Sequence, residues 1–396
     1  MKISLIQPGR NNLKYLKWSY DSIRKNQGSH DVEICVADDA STDGTWKWCE
    51  EMMAKDSNFK ALKWDGPERV GHTILYDRLV NEIATHDICM IYHADMYLCP
   101  GALDSIEENL EDKTIVSLTR IEPPLHPDGP EKILKNYGVE PEEFNESGLL
   151  SYIEKSKQDR SGKTTQGIFA PWAFFKKDFQ NIGGHDPLYA PQSKEDSDIF
   201  NRFLMYGIKF IQTWDGCVYH MTCRGSRRNT VDKAKNIYED SPEWLAQNLR
   251  STRNFIRKWG QFVEHDQLLM PIVTPKFNIG CCITNCTPAM VFDLEPWFDN
   301  LYVDIEFEDY VKVEKSNTLF DLSKRVYDIG TEPVNDIVIK IDATEMTETT
   351  LQYLQQLPKI FEQQLNEPGK YKIDCLDIEV KKLTQYQEEL IICDTI

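Results

Sequence analysis

Over roughly its first ninety residues the chain alternates short apolar runs with amphipathic helical patterns, and that alternation leaves few folds open. Residues 2–7 read as a strand, and 12–25 as a helix with Leu13, Leu16, Tyr20 and Ile23 on one face. Strand 32–37, helix 45–55, strand 59–64, helix 70–84 and strand 87–92 follow. A βαβαβαβ order implies an α/β fold with a Rossmann-like, mostly parallel central sheet and right-handed crossovers. No GxGxxG follows the first strand and no GxxxxGKS or GxxxxGKT occurs, which argues against a classical dinucleotide or P-loop site. Pro8-Gly-Arg-Asn-Asn12 is not the Gly-rich phosphate loop that a rival reading as a nucleotidyltransferase would need.

The second strand ends in adjacent carboxylates, Asp38 and Asp39, followed by Ser41-Thr-Asp-Gly-Thr45. Ligands of open α/β sheets bind at the carboxyl ends of strands. Two acceptor-only groups there repel phosphate but can accept hydrogen bonds from a base N–H and ribose hydroxyls. The reading is therefore a nucleoside pocket, weighed against a solvated Asp-rich turn. Ser41, Thr42, Asp43 and Gly44 supply turn and cap chemistry for the next helix.

Composition bounds the rest. The 396 residues suffice for two ordinary domains. The net charge of −19 opposes a general nucleic-acid or anionic-membrane surface. From residue 271 onward there are 23 acidic and 11 basic residues, against 41 and 34 before it. With Pro271 and Pro275, that shift predicts domains over 1–270 and 271–396. The second reads as a smaller α/β unit: strand 276–283, helix 288–298, strand 301–305, strand 336–341, helix 347–365 and a strand-rich 371–380. Self-association (a homo-oligomer) or acceptor docking is the expected role. Apolar runs are too short to span a bilayer, and no signal-peptide pattern opens the chain. Eleven scattered cysteines without CxxC, Cys281, Cys282 and Cys286 included, fit a reduced, cytoplasmic protein.

After the fourth strand comes Ile91-Tyr-His-Ala-Asp-Met-Tyr-Leu-Cys-Pro-Gly101, then Asn181-Ile-Gly-Gly-His-Asp-Pro-Leu-Tyr189, Lys194-Glu-Asp-Ser-Asp198 and Val218-Tyr-His220. With the Asp38–Asp39 strand end, this order over roughly residues 1–260 resembles family 2, GT-A-fold glycosyltransferases. The resemblance implies an inverting, metal-dependent transfer of a sugar from a nucleotide-sugar, a UDP-sugar rather than a GDP- or dTDP-sugar. Asp95 matches the family's metal carboxylate and His220 its late metal-contacting histidine. His93 stands where the first carboxylate of a DxD segment usually does, and three roles are open to it: ligand, ribose contact or packing. Hard Mg²⁺ or Mn²⁺ suits carboxylate oxygen, and Mn²⁺ also accepts imidazole. Asp196 matches the base that takes the acceptor proton, with Glu195 beside it; an acidic first helical turn is the competing account.

The same resemblance places Pro8, Asp38, Asp39, Asp43 and Ala94 on the donor side. Arg78 falls where the family has an Arg-Asn near the donor, with Leu79 in place of the Asn. Arg224, Arg227 and Arg228 form a basic segment that reads either as a loop able to close over a diphosphate or as a solvated linker pairing with acidic neighbours. Gly184, His185 and Asp186 match the acceptor-side turn, and Trp172, with Phe174 and Phe175, suits an acceptor-side wall or a core. Residues 120–165 are a polar insertion. A glycan, a lipid-linked saccharide or a protein would be the acceptor; nucleic acid fits the charge less well. Because His93 departs from the pattern, a weak or inactive nucleotide-sugar-binding module acting in recruitment is the alternative.

Overall fold

The computed structural model describes residues 1–66, 68–222, 228–232 and 237–393, with backbone alone at 228–232 and 237–238. It divides into two compact units. The first holds Met1–Ala246, His265–Pro271 and the segment beginning at Cys393; the second holds Gln247–Glu264 and Ile272–Ile392. Residues 247–264, read from sequence as the end of the first domain, group with the second unit.

In the first unit β1 (Lys2–Gly9) lies between β2 (Asp31–Asp38) and β4 (Ile88–Ile91), parallel to both, and β3 (Phe59–Lys63) extends the sheet beyond β2. β2 is buried from Val32 to Asp38, which is why Ile34–Ala37 is a continuous apolar run instead of an alternation. Helices α1 (Leu13–Asn26) and α2 (Thr45–Lys55) are the first two crossovers. α1 buries Tyr15, Leu16, Ser19, Ser22 and Ile23, a stripe at helical spacing. The helix expected over 70–84 begins as α3 (His72–Arg78) and loosens into a π-helical turn at Leu79–Ile83. Strand order reverses at β1, so the carboxyl ends of β1 and β4 mark a switch point where ligands bind.

Past β4 the sheet is mixed. The remaining elements are β5 (Met96–Leu98), α4 (Ala102–Asn109), β6 (Thr114–Glu122), β7 (Lys132–Leu134), α5 (Glu146–Lys155), α6 (Lys157–Arg160), β8 (Thr164–Thr165), β9 (Trp172–Phe175), α7 (Lys176–Asn181), α8 (Glu195–Met205) and β10 (Lys209–His220). The path runs β3-β2-β1-β4-β9-β6-β10-β5, with β9 antiparallel to β4 and β6, and β5 antiparallel to β10. The β10–β5 register sets His220 opposite Met96, one residue from Asp95. The β6–β10 register pairs Ile121 with Tyr219, so Glu122 is next to His220 as well. The polar insertion is anchored by Phe144, Leu149 and Tyr152 against Tyr97 and Tyr219.

After a short pair, β11 (Arg228–Asp232) and β12 (Ile237–Asp240), comes α9 (Pro242–Trp259). The second unit is built on β13 (Ile279–Thr284), β14 (Asn300–Val303), β15 (Val326–Asp328), β16 (Ile337–Asp342), β17 (Gly369–Ile373) and β18 (Leu376–Val380), in order β15-β14-β13-β16-β18-β17. Cys281, Ile283, Leu301, Ile337 and Ile339 are fully buried at its centre. The helix expected over 347–365 is broken into Glu348–Gln355 and Leu357–Gln363, because Pro358 starts a new helix and cannot continue the old one. Among the described residues no helix is long and apolar enough to cross a membrane.

Candidate active site

At the carboxyl edge of the first sheet a cleft of about 710 Å³ opens, lined by Pro8, Arg10, Asp39, Ala94, Asp95, Asp196 and neighbours. Its floor holds three side chains from the ends of two strands. His93, Asp95 and His220 place one ligand atom each within 4.8 Å of one another. His220 Nε2 lies 3.4 Å from Asp95 Oδ1, and the turn is closed by Met221 N–H donating to Asp95 O at 3.0 Å.

Behind His220 stands Glu122, whose Oε1 lies 2.8 Å from His220 Nδ1. Arg120 and Lys132 face the same carboxylate at 3.0 and 3.3 Å. Burial opposes a charge on Glu122, but His220, Arg120 and Lys132 outweigh it and hold its pKa well below the carboxylate range. Burial would likewise lower His220, yet Asp95 and Glu122 lift it to about 9. Burial pulls His93 down to about 4, so that its lone pair is available to a cation. Asp95 is held ionised, against burial, by His220 and His93. An imidazole whose far nitrogen is fixed by a carboxylate is the usual dress of a metal-ligating histidine. The donor set fits a divalent cation with oxygen and nitrogen tolerance, and binding would displace the proton on His220.

Across the cleft, the first turn of α8 presents Glu195 and Asp196. Glu195 is 5% exposed, and its Oε1 lies 2.6 Å from His72 Nε2 on α3. Burial works against the charge on each of these two, but each stabilises the other: Glu195 is lowered and His72 raised. Asp196 has no hydrogen-bonded partner of this kind among the described residues. Burial and the Glu195 charge push it up to about 6, the range of a general base working near neutrality.

The other sequence-predicted residues divide sharply. Pro8, Asp39 and Ala94 line the cleft. Asp39 accepts from Val70 and Gly71 N–H at 2.8 and 3.0 Å, and so sets the wall as well as facing it. Asp38 does not line the cleft; it is 1% exposed and accepts from Ser41 N–H. Asp43 caps α1, accepting from Leu13 N–H at 3.0 Å, and bonds Thr45. Arg78 pairs with Glu82 outside the cleft. Trp172 is fully buried against Phe174, Phe200 and Phe203, a core residue and not an exposed wall.

Gly184, His185 and Asp186 also stay out of the cleft. A Cβ on Gly184, which sits at φ +70°, would fall 2.1 Å from Asp77 Oδ2. His185 Nδ1 bonds that same carboxylate at 2.7 Å, and Asp186 caps the next turn through Leu188 N–H. Arg224 and Arg227 lie outside the described residues, as does the side chain of Arg228. Lining residues that the sequence reading passed over include Arg10, Tyr15, Arg69, His72, Tyr76 and Trp244. His72 stands in a segment singled out for Arg78; Glu122 carried no local signal.

Residues 4–183 match the model of Glycosyl transferase family 2. No curated protein sequence matches the chain. Among solved structures, a mannosyltransferase from Pyrobaculum calidifontis in complex with GDP-Man and Mn²⁺ is 18% identical at a TM-score of 0.40, covering 56% of this chain and 57% of that one. GalNAc-T7 with UDP, GalNAc and Mn²⁺ is 12% identical at 0.45, covering 65% and 48%. TarS 1–349 of S. aureus is 15% identical at 0.38, covering 65% and 74%. The chain thus spans about half the length of the first two.

Proposed function

We propose, taking residues 4–183 as a family 2 glycosyl transferase domain, that the chain is an inverting, metal-dependent glycosyltransferase. In this reading it moves a sugar from a UDP-sugar to a hydroxyl of a glycan, lipid-linked saccharide or protein. The observation that carries the reading is one cleft holding the His93–Asp95–His220 trio and, on another wall, a carboxylate with a pKa of about 6.

The acceptor oxygen attacks the anomeric carbon on the face opposite the diphosphate, forming the new C–O bond. The bond from that carbon to the phosphate oxygen breaks, and its electron pair leaves with the nucleoside diphosphate. The acceptor proton passes to Asp196, whose carboxylate accepts no hydrogen bond from another described residue and is open to it. Asp95, His220 and His93 would hold a divalent cation, Mn²⁺ suiting the mixed donors better than Mg²⁺, and that ion would supply charge neutralisation for a diphosphate leaving group. Glu122 keeps His220 oriented toward Asp95. Pro8, Asp39 and Ala94 line the donor side, and Arg10 and Arg69 add positive charge there. The described cysteines are all free thiols, in keeping with a reducing, cytoplasmic setting.

The test is donor hydrolysis over a panel of nucleotide sugars with Mn²⁺, beside Asp95→Ala and Asp196→Asn. Slow release of one nucleotide, lost in Asp95→Ala, supports the transferase and identifies its donor. Metal-dependent binding of a donor without release by the intact chain would favour the recruitment module instead.

A further inference from the structure

Helix α3 and the segment leading into α8 are tied at three places. Gly71, at φ +86°, allows the closest: a Cβ there would meet Pro191 O at 2.1 Å. Thr73 N–H and Oγ1 then donate to that carbonyl at 3.4 and 3.2 Å. At the far end of α3 Asp77 bonds His185. The third tie is the contact of His72 Nε2 with Glu195 Oε1 at 2.6 Å. Because Val70 and Gly71 also donate to Asp39, the stretch 70–72 runs from the donor-side carboxylate to the residue beside the base.

Glu195 is only half used by this arrangement. Its Oε2 is buried and has no hydrogen-bond partner among the described residues, while the residue lines the cleft. A buried acceptor left open is costly unless a ligand hydrogen meets it. A sugar hydroxyl is the donor that this cleft would bring.

We propose that His72 is a positioning residue of the transfer: it pins Glu195 through Oε1, leaves Oε2 to accept from a sugar hydroxyl, and balances the Glu195 charge beside Asp196. The inference rests on the transferase reading with Asp196 as base. Asp196 is faced by Glu195 on its own helix, by His72 and Tyr76 on α3 and by His185 from the preceding turn. His72 is faced by Glu195, Asp196, Arg69 and His93. The Glu195 charge raises the proton affinity of Asp196, and the cation on His72 lowers it. Changes at the two positions must therefore act with opposite sign.

The experiment is the pH–rate profile of donor hydrolysis by the full chain with Mn²⁺, comparing wild type with His72→Asn, His72→Lys and Glu195→Gln. In His72→Asn the acidic limb is expected to rise by about one pH unit, and in Glu195→Gln to fall by a similar amount. His72→Lys, which keeps a cation, is expected to hold the limb near wild type. The KM of the donor should rise in Glu195→Gln, which turns one acceptor oxygen into an amide donor. Limbs that stay fixed while kcat falls equally in His72→Asn and His72→Lys would overturn the proposal and leave His72 a packing residue. Should His72→Asn not fold, His72→Gln takes its place. A wild type that releases no nucleotide refutes the transferase reading itself, a result distinct from limbs that do not move.

Discussion

Glu122 Oε1 lies 2.8 Å from His220 Nδ1, and this one contact decides which nitrogen of His220 is left to face Asp95. The carboxylate is 1% exposed and braced by Arg120 and Lys132, so it cannot turn away. Replacing it by Gln keeps the shape but removes the charge that orients the ring. Mn²⁺ affinity of Glu122→Gln should fall by about 10–100-fold, the usual cost of losing such a partner. Titration of free Mn²⁺ by electron paramagnetic resonance measures it directly; an unchanged dissociation constant would mean that His220 is not a ligand.

In the proposed site a cation and a proton would compete for His220. With a pKa of about 9 the ring is protonated at neutral pH and must lose that proton to ligate. Apparent Mn²⁺ affinity should rise by about tenfold per pH unit between pH 6 and 8 if one proton is displaced. Calorimetry in buffers of differing ionisation enthalpy would count that proton, and a count of zero would remove His220 from the site.

As the proposed base, Asp196 must be ionised to accept the acceptor proton. Burial and the neighbouring Glu195 raise its pKa to about 6, so transfer at saturating Mn²⁺ is expected to be full above that pH and to decline as pH falls through it. Asp196→Asn should lower kcat by about 10²–10⁴-fold, the span of general-base contributions, while donor binding persists. A limb near pH 4 would place the titrating group elsewhere.

How much of this was legible in the sequence depends on how local the signal is. The alternation that gives β1 to β4 is written in sequence runs of six residues, 2–7, 32–37, 59–64 and 87–92, and the structure has all four strands. The antiparallel strands β5 and β9 are three and four residues long and too short to show a period. Asp95 and His220 can be singled out from the sequence because each lies in a recognisable motif. Their supports cannot: Glu122 lies 98 residues from His220, and His72 lies 123 from Glu195. No window along the chain contains both partners. Asp38 and Asp39 show a different limit. Successive residues on an extended chain point to opposite sides, so only one of the pair could face the cleft, and identity alone does not say which.

Trp172 turns the same point into a stability prediction. An aromatic run reads equally as a sugar platform or as core, and the ring is fully buried in an aromatic cluster. Trp172→Ala should cost about 3–5 kcal/mol of stability by leaving a cavity. Urea denaturation gives that loss, and acceptor specificity in Trp172→Phe should be unmoved.

In the second unit the stability question is one of charge. Glu295 is 0% exposed, with Arg257 Nη2 at 2.7 Å and Arg325 Nε also bonded to it. Burial opposes its ionisation, but Arg325 and Arg257 outweigh that and hold its pKa at about 2. A carboxylate whose folded pKa is depressed contributes stability above its unfolded pKa, and that contribution fades as pH falls toward the folded value. Two buried guanidinium groups depend on it, so Glu295→Ala removes more than one interaction: it leaves their charge uncompensated. The expected loss is about 3–5 kcal/mol at neutral pH. Hydrogen exchange over β13, β14 and β16 would report it as faster exchange. Unchanged protection there would mean that the arginines find other partners, Glu314 for Arg257 being already in contact.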